Sequence, residues 1–73
     1  QSMSGIRCAT PQWFQALRAR TRAAGCLLIF DEIQTGIGRL GTPLAAHHYG
    51  IEPDIVCLAK GLASGVPIGA TLV

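Results

Sequence analysis

Charge is scarce in this sequence: 14% of its 73 residues are charged, four of them acidic, and 5% are aromatic, against 49% hydrophobic. A chain of this length buries only about 60% of its unfolded surface, and so apolar a composition asks for more burial than that. The chain therefore reads as an excerpt from a larger core. Its ends suggest the same, since it opens at Gln1 without a start methionine and stops at Val73 inside an apolar run, with no linker or cap at either end. No apolar stretch reaches the roughly 20 residues of a membrane span, and no secretory signal pattern is present. The three cysteines, Cys8, Cys26 and Cys57, are odd in number and widely spaced. That spacing suits reduced thiols in a cytoplasmic protein and argues against a disulfide framework or a zinc site. Five of the six basic residues are arginines, and the formal charge is only +2. Arg18, Arg20 and Arg22 fall on one predicted helix without interleaved aromatics, which reads as a solvated face and not as a nucleic-acid patch.

What is present has a clear order. Thr10-Pro11 looks like an N-cap followed by proline at the first helical position, although Trp13 leaves the capping box incomplete. Phe14, Leu17 and Ala24 recur at helical spacing, and Gly25 is a stop, so a helix is predicted over residues 11–24. Cys26-Leu-Leu-Ile-Phe30 is a continuous apolar run that ends in Asp31-Glu32. Without alternation, such a run suits a strand covered on both faces, as in a parallel sheet. Residues 34–43 hold three glycines and read as loop, residues 44–49 as a short helix that Gly50 ends. A second apolar run begins after Pro53 and delivers Lys60; residues 61–65 turn the chain, and residues 68–73 read as a third strand. Helix, strand, loop, strand, turn and strand in this order point to an α/β layer architecture. There is no internal repeat and no low-complexity tract.

The informative feature is a pair of charged residues placed after apolar strands. Sites in open α/β sheets gather outside the carboxyl ends of the strands. Asp31 and Lys60 both occupy that position, and two parallel strands joined by a crossover would bring them to one sheet edge. A chemistry that uses such a pair is carbanion stabilisation by pyridoxal 5'-phosphate (PLP). There a lysine amine condenses with the cofactor aldehyde and a carboxylate keeps the pyridine nitrogen protonated. The same lysine, once displaced, can carry a proton. Position alone leaves the pair open, because a lysine beyond a strand is usually a solvated surface residue and an Asp-Glu pair is more often a turn or a helix cap.

The flanking sequence carries more. Leu28-Ile-Phe-Asp-Glu-Ile-Gln-Thr-Gly-Ile-Gly-Arg-Leu-Gly41, then Pro53-Asp-Ile-Val-Cys-Leu-Ala-Lys-Gly61 and Pro67-Ile-Gly-Ala70, closely resemble the class-III (omega) aminotransferases. The resemblance covers residues 10–73, with the motifs in order and at the expected gap. It implies a PLP-dependent enzyme of the aspartate-aminotransferase-like fold, of whose large, mixed and mostly parallel α/β domain residues 1–73 would form part. By resemblance, Asp31 matches the pyridine-nitrogen aspartate and Lys60 the Schiff-base lysine. Ile33 matches the aliphatic residue on one ring face, and Gln34 the residue near the phenolic oxygen. Glu32, Thr35, Gly36, Gly38, Arg39 and Gly41 would complete the loop in a mainly structural role. The family fold also makes the strand after Lys60 antiparallel to its neighbour, which the short turn permits.

The implied reaction moves an amino group from an amine or ω-amino acid to a keto-acid or aldehyde acceptor, in a cytoplasmic homodimer or dimer of dimers, with no nucleic-acid or membrane partner. Two departures bear on the substrate. Leu40 stands where the family commonly has threonine. Met3 stands where many members have a glutamate that pairs with a substrate-handling arginine, and Met3 cannot accept that bond. Use of 2-oxoglutarate therefore does not carry over by resemblance. The alternative within the family is decarboxylation-linked transamination of the dialkylglycine decarboxylase type, whose members have serine at the position of Met3.

Other motifs fit less well. Gly36-Ile-Gly-Arg-Leu-Gly41 satisfies G-x-G-x-x-G, but a dinucleotide site would start at the strand end and open a long helix. Leu27-Leu-Ile-Phe-Asp-Glu32 resembles the magnesium-binding strand of P-loop ATPases, a reading that leaves Lys60 and its flanks unexplained. A catalytically inactive structural paralogue is the third possibility. His47 and His48 are adjacent and would diverge by about 100° on a helix, unlike an i, i+4 metal pair. Trp13 reads as core packing.

Overall fold

The structure is a computed structural model that describes residue 3 and residues 5–73. Helix α1 spans Pro11–Ala23. Its start is built as the sequence suggested, with Thr10 in extended backbone and its hydroxyl accepting the Trp13 N–H at 3.1 Å. At the other end, the N–H groups of Ala24, Gly25 and Cys26 donate to the carbonyls of Arg20, Arg22 and Thr21, closing the helix. The predicted end at residue 24 is its cap, a one-residue difference.

Strands β1 (Ile29–Asp31), β2 (Ile55–Leu58) and β3 (Ala70–Leu72) form one sheet in the order β1-β2-β3. β1 and β2 are parallel, with Ile29, Phe30 and Asp31 opposite Ile55, Val56 and Cys57. β3 is antiparallel to β2, as the family resemblance implied. The crossover between β1 and β2 contains helix α2 (Ala45–Tyr49), which ends where Gly50 takes φ +65°, a conformation costly for residues with a Cβ. A 3-10 turn over Lys60–Ala63 links β2 to β3. No helix among the described residues is long and apolar enough to cross a membrane.

Pleating divides the sheet residues into two sets. Leu28, Val56 and Leu58 are buried on one face, together with Ala45, Ala46 and Ile51 from the crossover. Phe14 of α1 lies 4.3 Å from Tyr49 of α2 and 5.7 Å from Phe30 of β1 between ring centroids, so both helices pack on that face. Such ring pairs each contribute about 0.5–1.5 kcal/mol beyond burial. The opposite face differs from expectation. Leu27 and Ile29 are 70% and 56% exposed, so within this chain β1 is covered on one side only.

Two side chains depart from the sequence reading. Trp13 is 53% exposed and touches Phe14 edge-on, so it is a rim residue and not core. Arg18 is not solvated either. Its guanidinium grips Asp54 with two bonds, Nη1 to Oδ2 at 2.6 Å and Nη2 to Oδ1 at 3.0 Å. Asp54 Oδ2 also accepts the Leu28 N–H at 2.8 Å. Asp54 sits just before β2 and Leu28 just before β1, so this clamp ties α1 to the entry of both parallel strands. The Arg18 hydrogen bonds, helped by the Leu28 N–H, hold the Asp54 carboxyl down to about 2, below its ordinary 3.8.

Candidate active site

The other end of the same two strands carries the candidate site. Asp31 is the last residue of β1 and stands opposite Cys57 of β2. Strand pleating then sends Asp31 and Glu32 in opposite directions. Asp31 is exposed, and its Oδ1 accepts the backbone N–H of Ile33 at 3.1 Å, closing a tight turn on the carboxylate. Glu32 is buried at 2% exposure. Its Oε1 accepts from the Thr35 hydroxyl at 2.9 Å and from the Ala45 N–H, and its Oε2 from the Ala46 N–H at 3.1 Å. A carboxylate in that setting is paired with donors only, which offsets the cost of burying its charge.

The backbone of Glu32 is equally engaged. Its N–H extends the β1–β2 ladder to Cys57 O at 2.9 Å, and its carbonyl accepts the Gly36 N–H at 2.9 Å. Gly36 packs so closely that a Cβ there would lie 2.6 Å from Leu58 Cδ2 and 2.8 Å from Glu32 O. Only glycine leaves room for this turn. The turn presents Ile33, Gln34 and Thr35 beside Asp31.

Lys60 arrives from the neighbouring strand. β2 ends at Leu58, Ala59 is extended, and Lys60 opens the 3-10 turn with φ +47°. A left-handed lysine is uncommon outside turns and functional sites. Here it ends the strand direction abruptly at the carboxyl edge, where Lys60 is exposed. One cavity of about 760 Å³ is lined by Asp31, Ile33, Gln34 and Lys60 together, and also by Met3 and Ile6. All four residues singled out from the sequence therefore meet in one place. Gln34 and Lys60 also line an adjoining cavity of about 600 Å³ that contains Arg39 and Ser64.

Ile6, Arg7 and Cys8 also line the cavity, from an irregular segment that carries no local sequence signal for a site. His47 and His48 are exposed, and the His48 ring lies edge-on to Tyr49 at 4.9 Å. Residues 36–41 form turns, and the helix that follows has five residues, too short for a dinucleotide-binding helix.

Chemically, the cavity offers a carboxylate, a primary amine, an amide and an aliphatic side chain around one volume. That set can hold a flat heteroaromatic group by its ring nitrogen and join a carbonyl carbon to the amine.

Comparison with known proteins bears on the family of the chain as a whole. The family model described as aminotransferase class-III matches residues 1–73. Over 70 residues the chain is 50% identical to an acetylornithine aminotransferase of Lactiplantibacillus plantarum, covering 96% of this chain and 18% of that protein. Over 73 residues it is 49% identical to a putrescine aminotransferase of Pectobacterium atrosepticum, covering 99% of this chain and 16% of that one. The ornithine delta-aminotransferase of Plasmodium falciparum superposes with a TM-score of 0.94 at 35% identity, over 100% of this chain and 19% of that chain. The chain thus spans less than a fifth of the length of the curated relatives it matches. By sequence and by fold, this chain belongs to the class-III aminotransferases.

Proposed function

We propose that the protein carrying this chain is a PLP-dependent aminotransferase, and that residues 1–73 belong to its cofactor-binding large domain. The observation that supports this most is the meeting of Asp31, Ile33, Gln34 and Lys60 in one cavity at the carboxyl edge of two parallel strands. Their chemistry fits the cofactor. The Asp31 carboxylate would bind the pyridine nitrogen and keep it protonated. Ile33 would lie against the ring, and the Gln34 amide would meet the phenolic oxygen. The Lys60 amine would condense with the aldehyde carbon, the aldehyde oxygen leaving as water. When bound, PLP supplies an electron sink for the pair released as a substrate Cα bond breaks.

The protein's own contribution is to bind, orient and move protons. Asp31 is oriented before any ligand arrives, because its Oδ1 already holds the Ile33 N–H. Lys60 is fixed at its backbone by the turn, while its exposed side chain is free to approach the cofactor carbon. Not engaged with the cofactor, Lys60 Nζ would be the base at this edge of the cavity able to hold and move a proton.

The amino donor is an amine or ω-amino acid and the acceptor a keto acid or aldehyde. Relatives named for acetylornithine and for putrescine support that class, and Met3 on the cavity wall supplies no carboxylate to pair with a substrate-handling arginine. The working protein is a cytoplasmic homodimer or dimer of dimers. The test is made on the full-length protein with PLP, offered an amine donor and a panel of keto acids. Amino transfer to at least one acceptor is expected, with loss of roughly a thousandfold or more in Lys60→Ala. Unchanged transfer in that variant contradicts the assignment.

A further inference from the structure

We infer that Glu32 is a positioning residue for the cofactor cavity, acting through a chain of hydrogen bonds that starts at helix α2 and ends on the Asp31 carboxylate. The inference rests on the reading of that cavity as a PLP site. Each link is visible. The N–H groups of Ala45 and Ala46, at the first turn of α2, hold the two carboxylate oxygens of Glu32, and the Thr35 hydroxyl adds a third donor. Glu32 in turn holds both its β2 neighbour Cys57 and, through its carbonyl, Gly36. Those bonds close the turn that carries Ile33, Gln34 and Thr35. The Ile33 N–H then donates to Asp31 Oδ1.

Glu32 lines neither cavity. It lies on the far side of the pleat from Asp31, almost fully buried, so any effect on a bound cofactor must travel through the turn. Its geometry is specific to a carboxylate. Three donors converge on two oxygens, and a glutamine amide would turn an N–H₂ toward at least one of those donors. The turn would then lose a strut, and Asp31 its fixed relation to Ile33. Misplacement of a site group by about 1 Å can cost two orders of magnitude.

The experiment uses the full-length protein and compares Glu32→Gln, Ala45→Pro and Arg18→Met with the native chain. Ala45→Pro deletes one of the N–H donors at the first helical position, where proline is tolerated and which lies outside the cavity. Arg18→Met breaks the clamp at the opposite end of the strands and serves as a control for general destabilisation. PLP affinity and the visible absorption maximum of the bound cofactor are measured at a temperature where circular dichroism finds every variant folded. The PLP dissociation constant is expected to rise about tenfold or more in Glu32→Gln and in Ala45→Pro. The absorption maximum should shift in both, since Asp31 no longer meets the ring nitrogen squarely. Arg18→Met should bind within about twofold of the native protein with an unchanged maximum.

Should Glu32→Gln not fold, Ala45→Pro decides alone. Native affinity and an unmoved maximum in Ala45→Pro, or an equal loss in Arg18→Met, overturn the inference. A native protein without any PLP band overturns the underlying reading of the cavity, and this inference with it.

Discussion

Asp31 stands opposite Cys57 in the parallel register of β1 and β2, so Lys60, three residues past Cys57, emerges at the same sheet edge as Asp31. The relation depends on a parallel pair. Antiparallel strands would put the residue after β2 at the far end of β1. The crossover through α2 is what makes the two strands parallel and gathers an acid and an amine from residues 29 positions apart.

Asp31→Asn keeps the size of the side chain and an oxygen for the Ile33 N–H, but removes the negative charge. The full-length variant is expected to fold and to lose roughly 10²–10⁴-fold in amino-transfer rate. Steady-state kinetics with one donor–acceptor pair measure this. A rate within about twofold of native would show that Asp31 does not serve the ring nitrogen.

The clamp at the other end of the strands makes a prediction about pH. The folded-state carboxyl of Asp54 sits at about 2, below its ordinary 3.8. Between those values the unfolded chain binds more protons than the folded one, so stability falls as pH falls. The contribution of Asp54 is therefore complete above about pH 4 and lost progressively toward pH 2. Asp54→Asn should be less stable than native at neutral pH, with the gap closing through that window. Denaturant midpoints of both proteins at several pH values check it, and a gap that widens on acidification would contradict it.

Gly36→Ala tests the turn behind the site. The new Cβ meets a movable side-chain end at Leu58 but also the fixed carbonyl of Glu32, at 2.8 Å. Overpacking of this kind costs about 1–3 kcal/mol. Thermal unfolding of the full-length protein should register the loss, accompanied by weaker PLP binding because the turn carries Ile33 and Gln34. A neutral alanine would mean that the turn relaxes freely.

Much of this was legible in the sequence where the cause is local. Thr10-Pro11 and Gly25 mark the ends of α1 to within one residue, and Gly50 ends α2 where a left-handed residue is needed. The apolar runs before Asp31 and Lys60 give the strands. What escaped is long-range. Arg18 and Asp54 lie 36 positions apart, and nothing local distinguishes an arginine that will be clamped from one that will be solvated. Glu32 reaches its α2 donors across 13 and 14 positions. Trp13 has the composition of a core residue and the location of a rim residue, because Phe14 occupies the space between Tyr49 and Phe30. The adjacent acids Asp31 and Glu32 are alike in sequence, and only the pleat separates them into a cavity group and a buried strut.

The assignment of Lys60 as the cofactor-bearing residue is tested most directly by trapping. The full-length protein is incubated with PLP, reduced with borohydride, digested and mapped by mass spectrometry. The phosphopyridoxyl mass is expected on the peptide containing Lys60 and nowhere else, and to be absent from Lys60→Ala. A label on another lysine, or none on the native protein, would contradict the account.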